Sequence, residues 1–156
     1  MFEFEEDQYY DPSEDGYTHL NAYSKGRTHL GRMLSNFAYS PFVFEPYGKF
    51  NSMEAFYYWY VTGKKHEELR SLHGSTAKSV GQKFHRVVTS LTEEDLEILQ
   101  DAMVAKIVQN DDLKTALKEC TLPIVHYYVY HGKVVQLEQR HDWFADTLNL
   151  IRDALQ

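Results

Sequence analysis

Near the start of the chain apolar and polar positions alternate over His19–Ser24, and a short apolar run follows at Pro41–Phe44. His19–Ser24 and Pro41–Glu45 predict short strands, and Pro46 to Lys49, with Pro46 and Gly48, predicts a turn after the second. Further on the spacing becomes helical. Asn51 and Ser52 are good caps for an aromatic helix over 51–60, with Met53, Phe56, Tyr57 and Tyr60 on one face and Glu54, Tyr58 and Val61 on another. Ala77, Val80, Phe84 and Val87 predict a helix over 75–88, starting on Ser75 and interrupted by Gly81. Ser90 and Glu93 read as a capping box before the stripe Leu96, Leu99, Met103 and Ile107. A short helix follows over 111–119. A hairpin over 123–138 turns on His131-Gly132, and a last helix over 143–155 carries Phe144, Leu148, Ile151 and Leu155 on one face. The sum is an α+β domain, mostly helical, with a few short strands.

Charge adds a boundary to this picture. Residues 1–15 hold Glu3, Glu5, Glu6, Asp7, Asp11, Glu14 and Asp15 and no base, while the rest of the chain balances its sixteen bases with an equal number of acids. Residues 1–16 therefore read as an acidic, flexible extension, and 17–156 as the folded domain. A neutral body has no general attraction for a polyanion, so any phosphate contact must come from a local patch. One cysteine, Cys120, and no long apolar run point to a reducing cytoplasm and no membrane partner. The eight histidines show no metal-ligand spacing, and no cofactor motif occurs.

The densest local patch is Tyr23–Phe37, with Lys25, Arg27, Arg32 and His29 spaced by Gly26 and Gly31. Lys25 is either a solvated loop lysine or an amine whose charge is disfavoured by nearby arginine, which makes it a nucleophile toward an anomeric carbon. Arg27 and Arg32 have the fork geometry that clamps a diphosphate. Glu54 has two readings as well. In a first turn it complements the helix dipole; in an aromatic cleft, desolvation raises its pKa toward acid–base use. Five consecutive aromatics, Phe56–Tyr60, point in every direction of a helix, so at least one ring must reach the surface or line a pocket. Ser75, Lys78 and Lys83 form a weak anion-binding feature at a helix start.

"GRMLSNFAYSPFVFE", "FNSMEAFYYWY", "HGSTAKSVGQK", "MVAKIVQNDDLKTAL" and "LNLIRDAL" occur in this order between about Tyr17 and Leu155, and together resemble the NADAR family. That family, NAD- and ADP-ribose-associated, includes the YbiA-like N-glycosidases. The resemblance implies a YbiA-like fold and cleavage of an N-glycosidic bond to ribose without a cofactor or metal. It implies that Glu54 is the catalytic glutamate and that Ser35, Asn36 and Phe37 line the substrate pocket. "YSKGRTHLGRMLSNF" resembles the branch that removes ADP-ribose from guanine in DNA, as antitoxin or counter-defence to a separate DarT-type toxin. There Lys25 takes the place of a lysine acting at the anomeric carbon, with Tyr23, Arg27, Arg32, Tyr58, Lys78, Gly81 and Trp143 as substrate-binding residues. The implied partner is ADP-ribose on a guanine in single-stranded or locally opened DNA. The riboflavin-pathway branch differs where this chain has Ala55, Tyr58, Val61 and "RHDWFADTL". An N-glycosidase on phosphorylated riboflavin-pathway intermediates and a non-catalytic ADP-ribose reader remain as alternatives.

Overall fold

A computed structural model of the chain describes residues 10–136 and 143–156. The chain forms two compact units, residues 1–34 with 117–156 and residues 35–116. Its elements are those of a mostly helical α+β fold: six α-helices and three two-stranded sheets among the described residues.

In the first unit β1 (Leu20–Asn21) pairs in parallel with β4 (Ile124–Val125). A two-strand parallel pair is short of hydrogen bonds, and side-chain amides extend it. Asn21 Nδ2 donates to the Tyr127 carbonyl, and the Tyr127 N–H donates to Asn21 Oδ1, both at 2.9 Å. On the other flank Asn149 Oδ1 accepts from the Ile124 N–H at 3.0 Å, while its Nδ2 donates to the Ile124 carbonyl at 2.8 Å. Asn149 lies on α6 (Trp143–Leu155), where the helix predicted over 143–155 is found. Phe144 and Leu148 bury its apolar face. Arg152, also buried, donates to the carbonyls of Cys120 and Leu122. The predicted hairpin is β5 (Tyr127–Tyr130) and β6 (Lys133–Gln136). His131 and Gly132 both have positive φ, 51° and 77°, the two-residue turn that matches strand twist. The expected hairpin residues 137–138 lie outside the described residues.

The second unit begins with the turn Ser35–Phe37. It continues through the hairpin β2 (Phe42–Phe44) and β3 (Gly48–Phe50), then α2 (Met53–Val61), a 3-10 turn (Glu67–Ser71), α3 (Gly74–Gly81) and α4 (Glu93–Val108). Helix α5 (Asp111–Glu119) starts in this unit and ends in the other. Its core is aromatic. The rings of Phe50, Phe56 and Trp59 meet edge-on or tilted at 5.0–6.1 Å, and the Arg70 guanidinium lies 4.4 Å from the Phe50 ring centre and 4.6 Å from that of Trp59. Glu67 holds both partners, accepting from Arg70 Nε at 2.6 Å and from Trp59 Nε1 at 3.0 Å. Helix α2 is buried nearly all round, so the expected division into two faces gives way to a single pair of half-exposed residues, Glu54 and Tyr57.

Three expectations about element ends are corrected. Helix α3 starts at Gly74, behind His73 rather than on Ser75, and ends at Gly81 instead of running to 88. The capping box is Thr92 with Asp95, each bonding the other's backbone N–H, in place of Ser90 with Glu93. A threonine followed by three acids gives the N3 carboxylate a choice, and the later pair also lets Asp95 accept from Tyr60 Oη at 2.5 Å. The third concerns the extension expected over 1–16. Residues 1–9 lie outside the described residues, but Asp15 is 3% exposed and works as a structural acceptor. Its Oδ1 takes the Asn21 N–H at 2.9 Å and its Oδ2 the Arg27 N–H at 3.0 Å.

The carboxylate of Asp15 thus ties β1 to the loop that follows it. Asp15→Ala leaves the buried Asn21 N–H and the part-buried Arg27 N–H without this acceptor, and a buried orphan costs about 1–3 kcal/mol. We expect urea denaturation to show a loss of about 3 kcal/mol. Asp11→Ala, whose exposed carboxylate only caps Ser13, should cost less than Asp15→Ala. Equal losses for the two variants would contradict the role given to Asp15.

Candidate active site

The first cluster of expected residues lies in the second unit. Ser52, fully buried, caps α2: its Oγ accepts from the Ala55 N–H and donates to the Leu72 carbonyl, both at 3.0 Å. That cap fixes Glu54 in the first turn. The Glu54 N–H, which has no partner within its helix, donates to the Asn36 carbonyl at 2.9 Å. The turn that supplies this carbonyl is itself held at each residue. Ser35 Oγ accepts from the Phe37 N–H at 3.1 Å, and the Phe37 carbonyl accepts from the Gly74 N–H at 2.9 Å. The Ser35 carbonyl accepts from Lys106 Nζ at 3.0 Å. The motif Ser35-Asn36-Phe37 is therefore a junction between α2, α3 and α4.

Glu54 is half-buried, and burial pushes its carboxyl up to about 7, with the Lys78 charge opposing the shift. Both features of the two readings are present: Glu54 stands in the first turn of α2, and it is desolvated enough to raise its pKa. Tyr58, one turn on, is held above its ordinary pKa by burial and then by the Glu54 charge. Gly81 explains itself here. A Cβ at that position would sit 2.3 Å from the Tyr58 ring, so the helix end and the ring touch only because residue 81 has no side chain. Tyr57 is the ring that escapes the core, and the Arg86 guanidinium donates to its hydroxyl. Asn36 Oδ1 is buried without a hydrogen-bond partner.

Sequence reasoning missed Lys106. It is 2% exposed on α4, and burial lowers its ammonium to about 7. The signal was present, because position 106 falls three residues after Met103 and four after Ala102, inside the apolar stripe. A lysine on a buried face needs an acceptor, and Ser35 provides one.

The second cluster is in the first unit and is built around the cationic loop. Gly26 and Gly31 are there for close approach: a Cβ on Gly31 would lie 2.2 Å from the Asn21 carbonyl oxygen, and one on Gly26 would lie 3.0 Å from the same atom. Arg32 Nη1 donates to the carbonyls of Gly26 and Arg27 at 2.9 and 3.0 Å, so part of the expected diphosphate clamp braces the loop. Arg27 is exposed, with its guanidinium 5.8 Å from the Tyr17 ring centre. Lys25 is exposed at the loop tip. Tyr23 is buried, and its hydroxyl donates to the Val129 carbonyl at 3.2 Å. Trp143, at the first position of α6, is half-buried with its ring edge-on to Phe144. A cavity of about 260 Å³ in this unit, lined by Tyr10, Ile124, His126 and Asp146 among others, contains none of the expected site residues. Among the described residues no group of three or more His, Cys, Asp or Glu could hold a metal ion, and no helix is long and apolar enough to cross a membrane.

No family model matches the chain. No curated protein matches it significantly. Among solved structures, the NMR structure of the Escherichia coli protein YbiA is similar, with a TM-score of 0.59 at 20% identity over 88% of this chain and 84% of that one. The chain therefore has a YbiA-like α+β fold, as its sequence motifs implied.

Two predictions follow from burial. For Glu54, folding favours the protonated form, so its stabilising share is complete below about pH 4.5 and lost as pH rises through about 7. Lys106 has the opposite sign: its ionised form is disfavoured by folding, so stability recovers as pH rises above about 7. Glu54→Gln should be more stable than wild type at pH 8 and equal to it near pH 4.5, as read by thermal unfolding at the two pH values. Gly81→Ala, in contrast, must displace the Tyr58 ring. It should lose about 1–3 kcal/mol by overpacking and shift the Tyr58 ring signals in NMR; an unchanged spectrum would refute the close approach.

Proposed function

We propose that the protein is an N-glycosidase that hydrolyses the bond between guanine and ADP-ribose in DNA, releasing ADP-ribose and restoring the base. The observation that carries the reading is the Glu54 carboxyl near pKa 7, at a helix start braced by the Ser35–Phe37 turn, in a chain with a YbiA-like fold. A group with that pKa is half protonated at neutral pH and exchanges a proton in either direction. Protonated Glu54 gives its proton to the departing guanine nitrogen as the bond to C1″ breaks.

The electron-poor C1″ needs a second partner. Lys25, assigned by the resemblance of the loop sequence, attacks C1″ through its side-chain nitrogen. The ribose opens to an imine, which water then hydrolyses to regenerate the amine and release ADP-ribose. Arg27 and the free N–H groups of Arg32 bind the diphosphate, and Tyr58 and Phe37 pack against ribose or base. An antitoxin or counter-defence role against a separate DarT-type toxin is the biological setting that this activity implies.

Incubation with guanine-ADP-ribosylated oligonucleotide, followed by mass spectrometry, tests the reading. Glu54→Gln should slow release by roughly 100- to 10,000-fold. The wild-type rate should fall as pH rises through about 7, because the acid form of Glu54 is then lost. Lys25→Ala should abolish the imine that borohydride traps. Wild-type rates for both variants would overturn the assignment, and turnover confined to free ribosyl metabolites would favour the small-substrate alternative.

A further inference from the structure

The β5–β6 hairpin has one face the proposed chemistry does not use. Tyr128 and Tyr130 lie on the same side of β5, and their cross-strand partners, Val135 and Lys133, share that side. All four are exposed: Tyr130 at 68%, Val135 at 47%, Tyr128 at 41%, and Lys133 with them. Tyr127, on the opposite side, is 1% exposed and bonded to His19. The ribbon thus buries one face and presents two phenol rings, a methyl-bearing side chain and an ammonium on the other.

From these residues we propose that the exposed face of the β5–β6 hairpin binds the nucleotides flanking the modified base in single-stranded nucleic acid. Three features carry this. The two tyrosines are two residues apart on a strand, about 6.8 Å, which is about two aromatic stacking distances, so successive splayed bases can each lie on one ring. Tyr128 is already oriented, with the rings of Tyr23 and His126 edge-on to it at 5.6 and 5.1 Å. The charge is complementary to a phosphate backbone. Residues 127–136 and 22–32 contain no carboxylate but carry Lys133, Lys25, Arg27 and Arg32, in a chain of net charge −7.

The face is continuous with the cationic loop inside the first unit. Tyr23, two residues before Lys25, bonds to Val129 in β5 and touches Tyr128. A strand laid across the two tyrosines therefore runs toward the loop that the proposed function assigns to the sugar. The inference rests on that reading for its direction, but the hairpin is testable without turnover.

The test is fluorescence anisotropy of a labelled, unmodified oligonucleotide of about eight nucleotides with the full chain, run beside turnover of an ADP-ribosylated guanine mononucleotide and of the modified oligonucleotide. Tyr130→Ser should weaken single-strand binding roughly tenfold, raise KM for the modified oligonucleotide by a similar factor, and leave mononucleotide turnover unchanged. Tyr130→Phe keeps the ring and should bind as wild type does. Lys133→Ala should flatten the log–log salt slope by about 0.7. The proposal is overturned if Tyr130→Ser and Tyr128→Ser bind like wild type, if the wild type does not bind the single strand, or if a duplex of the same sequence binds as tightly. Tyrosine-dependent binding without turnover of either substrate upholds the hairpin and refutes the glycosidase; turnover with tyrosine-independent binding does the reverse.

Discussion

A buried ammonium against a backbone carbonyl organises the second unit. Lys106 reaches from α4 to Ser35, and an apolar interior does not tolerate such a group unless its acceptor stays in place. The consequence is a fixed turn. Asn36 then presents its carbonyl to the first turn of α2, and Phe37 presents its carbonyl to the start of α3. Two helix starts, which would otherwise expose unsatisfied N–H groups, are closed by main-chain acceptors instead of by water. Glu54 sits beside these starts, and its burial raises its pKa. That desolvation is also a cost to the fold wherever the carboxylate is ionised.

The loop of the first unit follows a different strategy. Its backbone is determined before any ligand arrives. Asp15 accepts from both sides of it, Arg32 reaches back to two of its carbonyls, and Gly31 lets α1 (His29–Leu34) pack directly on the Asn21 carbonyl. Lys25 and Arg27 stay exposed on this frame. A lysine on a loop usually loses much side-chain entropy when it binds. Here hydrogen bonds and the close approach at Gly31 already hold the main chain, and the exposed side chains stand on that frame.

Much of this was legible in the chain. Periodicity located the helix over 111–119 and the one over 143–155 to the residue, and the His131-Gly132 turn marked its hairpin. Glu54 stood out as a carboxylate among aromatics, and burial does raise its pKa. What periodicity could not show were contacts between distant segments. Thr92 won the cap because Asp95 gains Tyr60 as a second partner, 35 residues away. Residue 81 must be a glycine because the Tyr58 ring occupies the space where a side chain would lie. The place of Lys106 in the apolar stripe signals burial but not its partner, a carbonyl 71 residues distant. Nothing local announces such a partner.

The acidic start of the chain shows why a charge count alone misleads. Seven carboxylates in fifteen residues suggested a solvated tail set against the cations that follow. Asp15 instead spends its charge on two backbone N–H groups, which are partial positive charges of the main chain and not of a side chain. A carboxylate satisfied in this way leaves Lys25, Arg27 and Arg32 without an ion-pair partner in it. If Asp15 paired with one of these cations, an incoming phosphate would have to displace it, and part of the binding energy would go into breaking that pair. Accepting from the main chain instead, Asp15 shapes the loop and leaves Lys25 and Arg27 exposed on it, so an acidic protein keeps a local cationic surface.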